Sequence, residues 1–508
     1  MSKYFTKLLI ILCLSLLATL SVSSQSFRQV NIVIEQDSID ELESHPYTNE
    51  DVHGSFIIDG VSTDTVEIHY RGAYNLWQLI RTGSLRNWKI KFSKSEKLEN
   101  RREWNFNYEN YIRQNLAYHI FREAGVPCVS TENVILSVNG QRQGLYLKYE
   151  DPDNKDWLSY AFGYDEGDLY KAAYDIPGED KYFADLTYLG DNDEDYFLHY
   201  RKQTNNNAEK EFDYSSIREF IYFINYSTDD EFANQIMDKF DVKEFINYLV
   251  VANFTANWDG YPFRPKNYFL YVNPLDRKWH FIPWDLDGTF QEVGTGRNSI
   301  GITGSVFYYF DGIEAYNYTP TEPLDRPLVW RLMEIEKFRN QYIYEYKQAI
   351  ESFLTVASIT EIIDSLSAGV AANTSGQELS DYNEDVNNTQ YFIAARYANV
   401  LNELDQYEVD NPYVSIDKSV IYEQGNLHVY PSPASNHIWL ELIGAESGIH
   451  HVHIVNTLGQ RIISKSILST PETCQSIEID LSGIPMGYYV LIAETKNGSY
   501  TEKFIITR

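Results

Sequence analysis

Residues 266–290, KNYFLYVNPLDRKWHFIPWDLDGTF, decide how this chain is read. They spell two short apolar runs around Asn273 and Pro274, and the second runs straight into Asp285, Leu286, Asp287 and Gly288. In an extended strand, residues two apart project to the same side. The spacing therefore predicts that Asp285 and Asp287 point together while Leu286 turns into the core. Two carboxylates side by side repel each other unless a cation or hydrogen-bond donors compensate. Hard divalent ions seek such oxygens, and Mg²⁺ needs only one or two carboxylates when phosphates complete its shell. A turn at a strand end is also rich in Asp and Gly, so the motif alone leaves both readings open.

The upstream flank narrows the choice. NWDGYPFRPKN (257–267) sets Asp259 and Asn267 around a loop that Gly260, Pro262 and Pro265 keep irregular. The order is then Asp, loop, Asn, strand, turn, strand, Asp. Protein kinases use that same order for a base aspartate, an asparagine on the metal, a hairpin and a metal aspartate. Phosphoryl transfer needs a carboxylate to take the hydroxyl proton and oxygens that hold a cation on the phosphates.

The first half of the chain alternates apolar and polar residues in QVNIVIE, GSFIIDG, DTVEIHYRG and RNWKIKF, between Gln29 and Phe92. Residues 109–124 change to a helical period, closed by Gly125 and Pro127. Two strands then flank Asn139-Gly140, a hairpin signal. Residues 214–256 and 328–404 read as helices. In RNWKIKF, Trp88, Ile90 and Phe92 face a core, while Lys89 and Lys91 face solvent or a cleft. Arg71-Gly72 fits either a turn or an anion contact.

The ends and the composition bound the setting. Lys3 and Lys7, an apolar run from Leu8 to Leu20 and small residues to Ser24 lay out a secretory signal peptide over 1–24. No later stretch reaches the roughly 18 apolar residues of a membrane span. Of three cysteines, only Cys128 and Cys474 lie beyond that leader, so neither a disulfide framework nor a cysteine metal cluster is expected. A formal net charge of −31 argues against nucleic acid as a partner. The histidines show no metal-ligand spacing, and His450, His451 and His453 read as surface residues of a strand. Residues 409–424 form a linker, and from 425 to 508 short strands at close spacing predict a small sandwich.

VEIHYRG…NWKIKF, IRQNLAYHIFREAGVP, VNGQRQGLYLKYE, GDLYK, ADLTYLGD and NWDGYPFRPKNYFLY…WHFIPWDLDGTF fall in the order of the spore-coat protein H (CotH) kinase family, which residues 25–408 resemble. The resemblance implies an α+β, atypical bilobal protein-kinase-like fold, with a strand-rich first lobe and a helix-rich second, ahead of the small all-β domain. It implies a secreted kinase that moves the γ-phosphate of ATP, with Mg²⁺ or Mn²⁺, to serine or threonine of a surface or extracellular protein. By position, Asp259 resembles the catalytic aspartate, and Asp285, with Asn267 and Asp287, the metal ligands. Lys89, Lys91 and Arg71 resemble the phosphate contacts, and Glu150 the acidic residue ending the first-lobe hairpin. Ala73-Tyr74 and Leu85-Arg86 depart from the family's usual small polar residue and Lys-Lys pair.

The tail, with VYPSPASNHIWLEL, IVNTLGQRI, IDLSGIPMGYYVLIAE and EKFIITR, resembles the C-terminal sorting domain of the type IX secretion system of Bacteroidota. It implies export through the periplasm to the cell surface or beyond, with the type IX machinery as a partner. Two rival functions remain. One is a catalytically inactive kinase-fold surface or adhesion protein. The other is a haloacid dehalogenase-type phosphatase with Asp285 as nucleophile, which would need Asp285 to end a parallel strand.

Overall fold

The computed structural model describes residues 26–46, 50–72, 85–108, 112–172, 183–207, 212–292, 301–307, 326–413, 426–443, 449–456, 461–467, 477–495 and 499–507. The predicted leader at 1–24, Cys474 and most of the linker lie outside them. The chain divides into a unit at 1–410 and a unit at 411–508.

In the first unit, the alternating segments of the N-terminal half become β1 (Arg28–Val33), β2 (Val52–Ile58), β3 (Val61–Tyr70), β4 (Trp88–Lys91), β5 (Glu103–Asn107), β6 (Thr131–Val138) and β7 (Gln141–Tyr149). These seven close into a barrel in the order β1-β2-β3-β4-β5-β7-β6, and parallel pairing of β1 with β6 makes the seam, Val30 opposite Leu136. Closure removes the exposed strand edges that an open sheet would present. Val30, Phe56, Ile68, Ile90, Phe106 and Leu136 fill the interior. Trp88, Ile90 and Phe92 are buried as the alternation predicts. Asn139 and Gly140 both take positive φ, 50° and 75°, the geometry of a tight hairpin turn.

A helix, Arg113–Glu123, interrupts the barrel between β5 and β6. It begins four residues later than the periodicity predicts. Ile112, Leu116, Ile120 and Phe121 are fully buried against the helical half, which places this helix between the two halves of the unit.

The second half is built around a sheet of four antiparallel strands in the order β11-β10-β8-β9, with β8 at Leu169–Ala172, β9 at Tyr200–Lys202, β10 at Tyr268–Asn273 and β11 at Lys278–Pro283. β10 and β11 are the predicted hairpin, with Tyr268 opposite Pro283. Helices Ser215–Tyr226, Asp229–Lys239, Val242–Phe254, Pro327–Glu334, Glu336–Glu351, Val356–Ser367 and Gly376–Leu404 surround it. No single helix among the described residues is long and apolar enough to cross a membrane.

In the unit at 411–508 every regular element among the described residues is a strand. One sheet joins Asn426–Tyr430, His437–Ile443 and Ile477–Asp480, and the other joins Ile449–Asn456, Arg461–Ser466, Gly487–Thr495 and Ser499–Ile506. Ile438 and Leu440 from the first sheet share one core with Val452, Ile454, Leu491 and Phe504 from the second. His453 is buried rather than on the surface, because its strand lies between two others that place Ser464 and Ile492 opposite it. Its Nε2 lies 3.4 Å from Glu494.

Candidate active site

Two backbone segments are fastened together at the end of the hairpin. Asp241 caps the helix Val242–Phe254 by accepting the Glu244 N–H at 3.0 Å, and the helix ends at a loop beginning with Thr255. There the Phe290 N–H donates to the Thr255 carbonyl at 2.7 Å, the Trp258 N–H to the Gly288 carbonyl at 3.1 Å, and the Trp284 N–H to the Asn267 carbonyl at 2.9 Å. The stretch after β11 is thus bonded to both ends of the 255–267 loop. Gly288 permits this approach: a Cβ at that position would sit 2.9 Å from Asp259 Cβ and 3.2 Å from Trp258 Nε1. The DLDG glycine therefore serves close packing on Asp259.

Asp259 is buried and surrounded by donors. Arg264 Nη1 reaches Oδ1 at 3.0 Å and Lys266 Nζ reaches Oδ2 at 3.0 Å. Asn267 Nδ2 donates to Oδ2 at 2.8 Å and to the Asp259 carbonyl at 3.0 Å. That loop bends sharply, with Ala256 and Asn267 in the left-handed region at φ 50° and 57°. Such bonding fixes the carboxylate's direction.

Asp285 does not continue the strand. β11 ends at Pro283, and Asp285 has φ 51°, so the alternation that predicts a side-by-side Asp285 and Asp287 stops before them. Leu286 is fully buried, as expected, and Asp285 and Asp287 are both half-buried. The Asp285 N–H donates to Tyr118 OH at 3.2 Å, and Gln114 Nε2 comes within 3.4 Å of its Oδ1. Both partners stand on the helix Arg113–Glu123, which thereby aims Asp285. Burial pushes the Asp285 carboxyl above its ordinary range and the nearby Asp259 charge adds to this, against Arg71, Lys266 and Lys171.

The barrel contributes a second group. Arg71, at the end of β3, donates to Asn107 Oδ1 at 2.8 Å and to Tyr149 OH, and lies over the Tyr149 and Trp284 rings at 5.2 and 5.8 Å. Lys89 Nζ is clamped by Glu103 at 2.7 Å and Asp151 at 3.0 Å. Burial works against the Asp151 charge, but Lys89, Lys171 and Arg71 outweigh it and hold that carboxyl well below its ordinary range. Burial and the Asp151 charge push neighbouring Asp153 up to about 6.

Among the residues singled out from sequence, Asp259, Asn267 and Asp285 come together, and Arg71 faces Asp285 from the barrel side. Lys91 and Glu150 turn elsewhere. Lys91 pairs with Asp51 at 2.9 Å, beside His69, and Glu150 pairs with Arg101. Asp151 and Lys171 were not singled out, yet both belong to this charged group. A strand pattern tells which side a residue faces and not which partner it meets, so sequence gave Glu150 and Lys91 the same standing.

Asp285, with a carboxyl raised by burial and by the Asp259 charge, offers oxygens of the kind a hard divalent cation takes. Asn267 spends its amide N–H on Asp259, leaving its carbonyl oxygen for such an ion. A separate acidic and histidine cluster joins Asp241, Glu244 and His280, whose ligand atoms lie within 4.8 Å of one another. His280 Nδ1 meets Glu244 and Nε2 meets Asp276, each at 3.0 Å. The cluster draws on a helix cap, a helix and a strand, so no spacing in the sequence reveals it.

The CotH kinase protein family matches residues 68–409, and the secretion system C-terminal sorting domain matches residues 428–507. The chain is 24% identical over 305 residues to inner spore coat protein H of Bacillus subtilis, covering 57% of this chain and 72% of that protein. It is 25% identical over 209 residues to invasin CotH2 of Rhizopus delemar, covering 40% of this chain and 34% of that protein. An inner spore coat protein H-like protein of Bacillus subtilis is 22% identical over 296 residues, covering 58% of this chain and 73% of that protein. With the CotH kinase match spanning most of the chain and the sorting domain following it, the chain belongs to the CotH kinase family and ends in a type IX secretion sorting domain.

Proposed function

We propose that this chain is a secreted, metal-dependent protein kinase that transfers the γ-phosphate of ATP to a serine or threonine hydroxyl of a surface or extracellular protein. The reading rests above all on the backbone ladder that holds the loop of Asp259 against the turn of Asp285. In it, Asp259 accepts the proton of the attacking hydroxyl, and its bonds to Arg264, Lys266 and Asn267 point the carboxylate before substrate arrives. Asp285, with Asn267 and Asp287, would hold Mg²⁺ or Mn²⁺, which neutralises charge on the phosphates. Arg71 lies on the barrel side of the same cleft and adds positive charge there. The four-stranded sheet is antiparallel throughout, so Asp285 lacks the parallel strand end that a haloacid dehalogenase nucleophile requires.

The test is transfer of label from γ-labelled ATP, with Mg²⁺ or Mn²⁺, to the protein itself and to casein. Wild type should transfer label, and Asp259→Ala and Asp285→Ala should not. Equal, negligible transfer by wild type and Asp259→Ala would sink the kinase reading. It would favour the second one, an inactive kinase-fold surface protein with a role in adhesion, which the invasin name of one relative supports.

A further inference from the structure

We infer that Lys171, the last residue of the GDLYK segment, is the cation that grips the phosphate groups of the bound nucleotide, in place of Lys89 or Lys91. The inference rests on the kinase reading and names a residue for it. Lys171 stands on β8, opposite Phe269 of β10 and Arg201 of β9. Its ammonium lies 5.3 Å from the centre of the Phe269 ring and 5.7 Å from that of Trp284, the residue immediately before Asp285. Among the described residues, no hydrogen bond or ion pair reaches it.

The two lysines of the basic strand are engaged elsewhere. Lys89 is held between Glu103 and Asp151, and Lys91 is paired with Asp51. Lys171 feels the charges of Asp151, Asp153, Arg71 and Lys89, and is itself one of the cations that counter the rise of Asp285. Its place over the Trp284 ring sets it next to the turn that carries Asp285.

A half-buried ammonium without a bonded counter-ion is an unfavourable arrangement, because the unbonded carboxylates nearby offset only part of its desolvation. Burial accordingly lowers its pKa; the Asp151 and Asp153 charges oppose this, and Arg71 and Lys89 add to it. The aromatic faces beneath it give only partial compensation and hold the head group in place. A polyphosphate in the cleft would supply the missing anion, with three ammonium donors available for its oxygens. Asp151 is not bonded to Lys171: its Oδ2 is shared by Lys89 and Asn105, and no bond joins its Oδ1 to the ammonium.

Calorimetric titration of the full chain with ATP, adenosine and inorganic tripolyphosphate, each with Mg²⁺, tests this. Lys171→Met should weaken ATP and tripolyphosphate about tenfold or more while leaving adenosine within about twofold, and Lys171→Arg should recover part of the loss. ATP binding by Lys171→Met at wild-type strength overturns the inference. So does an equal loss of ATP and adenosine together with a lowered melting temperature, which marks a packing role over Trp284. Wild type that binds tripolyphosphate through Lys171 but neither ATP nor adenosine sinks the kinase reading and keeps the anion-gripping lysine. Wild type that binds none of the three overturns both.

Discussion

Gly288→Ala isolates the contact on which the site depends. The new Cβ would lie 2.9 Å from Asp259 Cβ, where ordinary contact begins at 3.4 Å, and 3.2 Å from Trp258 Nε1. Gly288 does not have a positive φ, so alanine is not penalised by backbone conformation and the clash is the whole effect. Relief requires the turn and the Asp259 loop to separate by about 0.5 Å, against three backbone hydrogen bonds that tie them. Overpacking of this kind costs about 1–3 kcal/mol of stability. Misplacing a catalytic group by about 1 Å costs about a hundredfold in rate, so a shift of half that size should cost about tenfold. The assay pairs the initial rate of label transfer at saturating ATP with a urea unfolding curve. Gly60→Ala serves as the comparison: Gly60 has φ 82° in the β2–β3 turn with open space around it, so alanine there should cost about 1 kcal/mol and leave transfer unchanged. Transfer by Gly288→Ala within twofold of wild type, at unchanged stability, would refute the idea that this glycine sets the position of Asp259.

Asp285→Asn removes a charge that burial and Asp259 already disfavour, so the fold should change by less than about 1 kcal/mol while label transfer is lost. Mn²⁺ at about a hundred times its dissociation constant should stabilise wild type by about 2.7 kcal/mol, and Asp285→Asn should abolish that rise in melting temperature. Stabilisation of the variant equal to wild type would place the metal elsewhere. His280 is pushed up to about 9 by Glu244 and Asp276, which outweigh its burial. A raised basic group stabilises the fold below its unfolded value of about 6.5, and that contribution is lost as pH rises through about 9. Burial lifts Glu244 to about 7, so the folded state also holds its proton longer and this group shifts stability in the same direction. The unfolding free energy should thus fall by up to about 3 kcal/mol between pH 6 and 9. His280→Gln should flatten the slope, and an unchanged slope in that variant would exclude the pair as its source.

The sequence made the hairpin legible because its parts are local: apolar runs of the right length, a turn between them and polar residues at their ends. The same holds for Asn139-Gly140 and for the buried face of Trp88, Ile90 and Phe92. Barrel closure was not legible, since β1 meets β6 across about a hundred residues and parallel pairing leaves no turn signal. Partner choice was also hidden. Lys89, Lys91 and Lys171 all sit in short strands flanked by apolar residues, and only the fold decides that the first two meet carboxylates while the third faces the cleft.

The least legible feature is the backbone at Asp285, and it has a consequence for how the site is held. Asn267 and Asp285 occupy the left-handed region at φ 57° and 51°, a conformation costing about 1 kcal/mol or more for a residue with a side chain. Asn and Asp tolerate it better than other side chains, which is why the site can use these residues there. The strain persists only if the surroundings over-determine it. Here the Trp284–Asn267, Trp258–Gly288 and Phe290–Thr255 bonds close the loop from both ends, and Tyr118 of the helix Arg113–Glu123 accepts the Asp285 N–H. Asp285 is thus positioned by a helix inserted into the barrel, and Asp259 by a helix outside it. Tyr118→Phe tests that division. It removes one buried acceptor and should cost about 1–3 kcal/mol. It should also weaken metal-induced stabilisation more than nucleotide binding, because Asp285 alone loses its anchor. An equal effect on both would mean that Tyr118 supports the whole cleft and not Asp285 in particular.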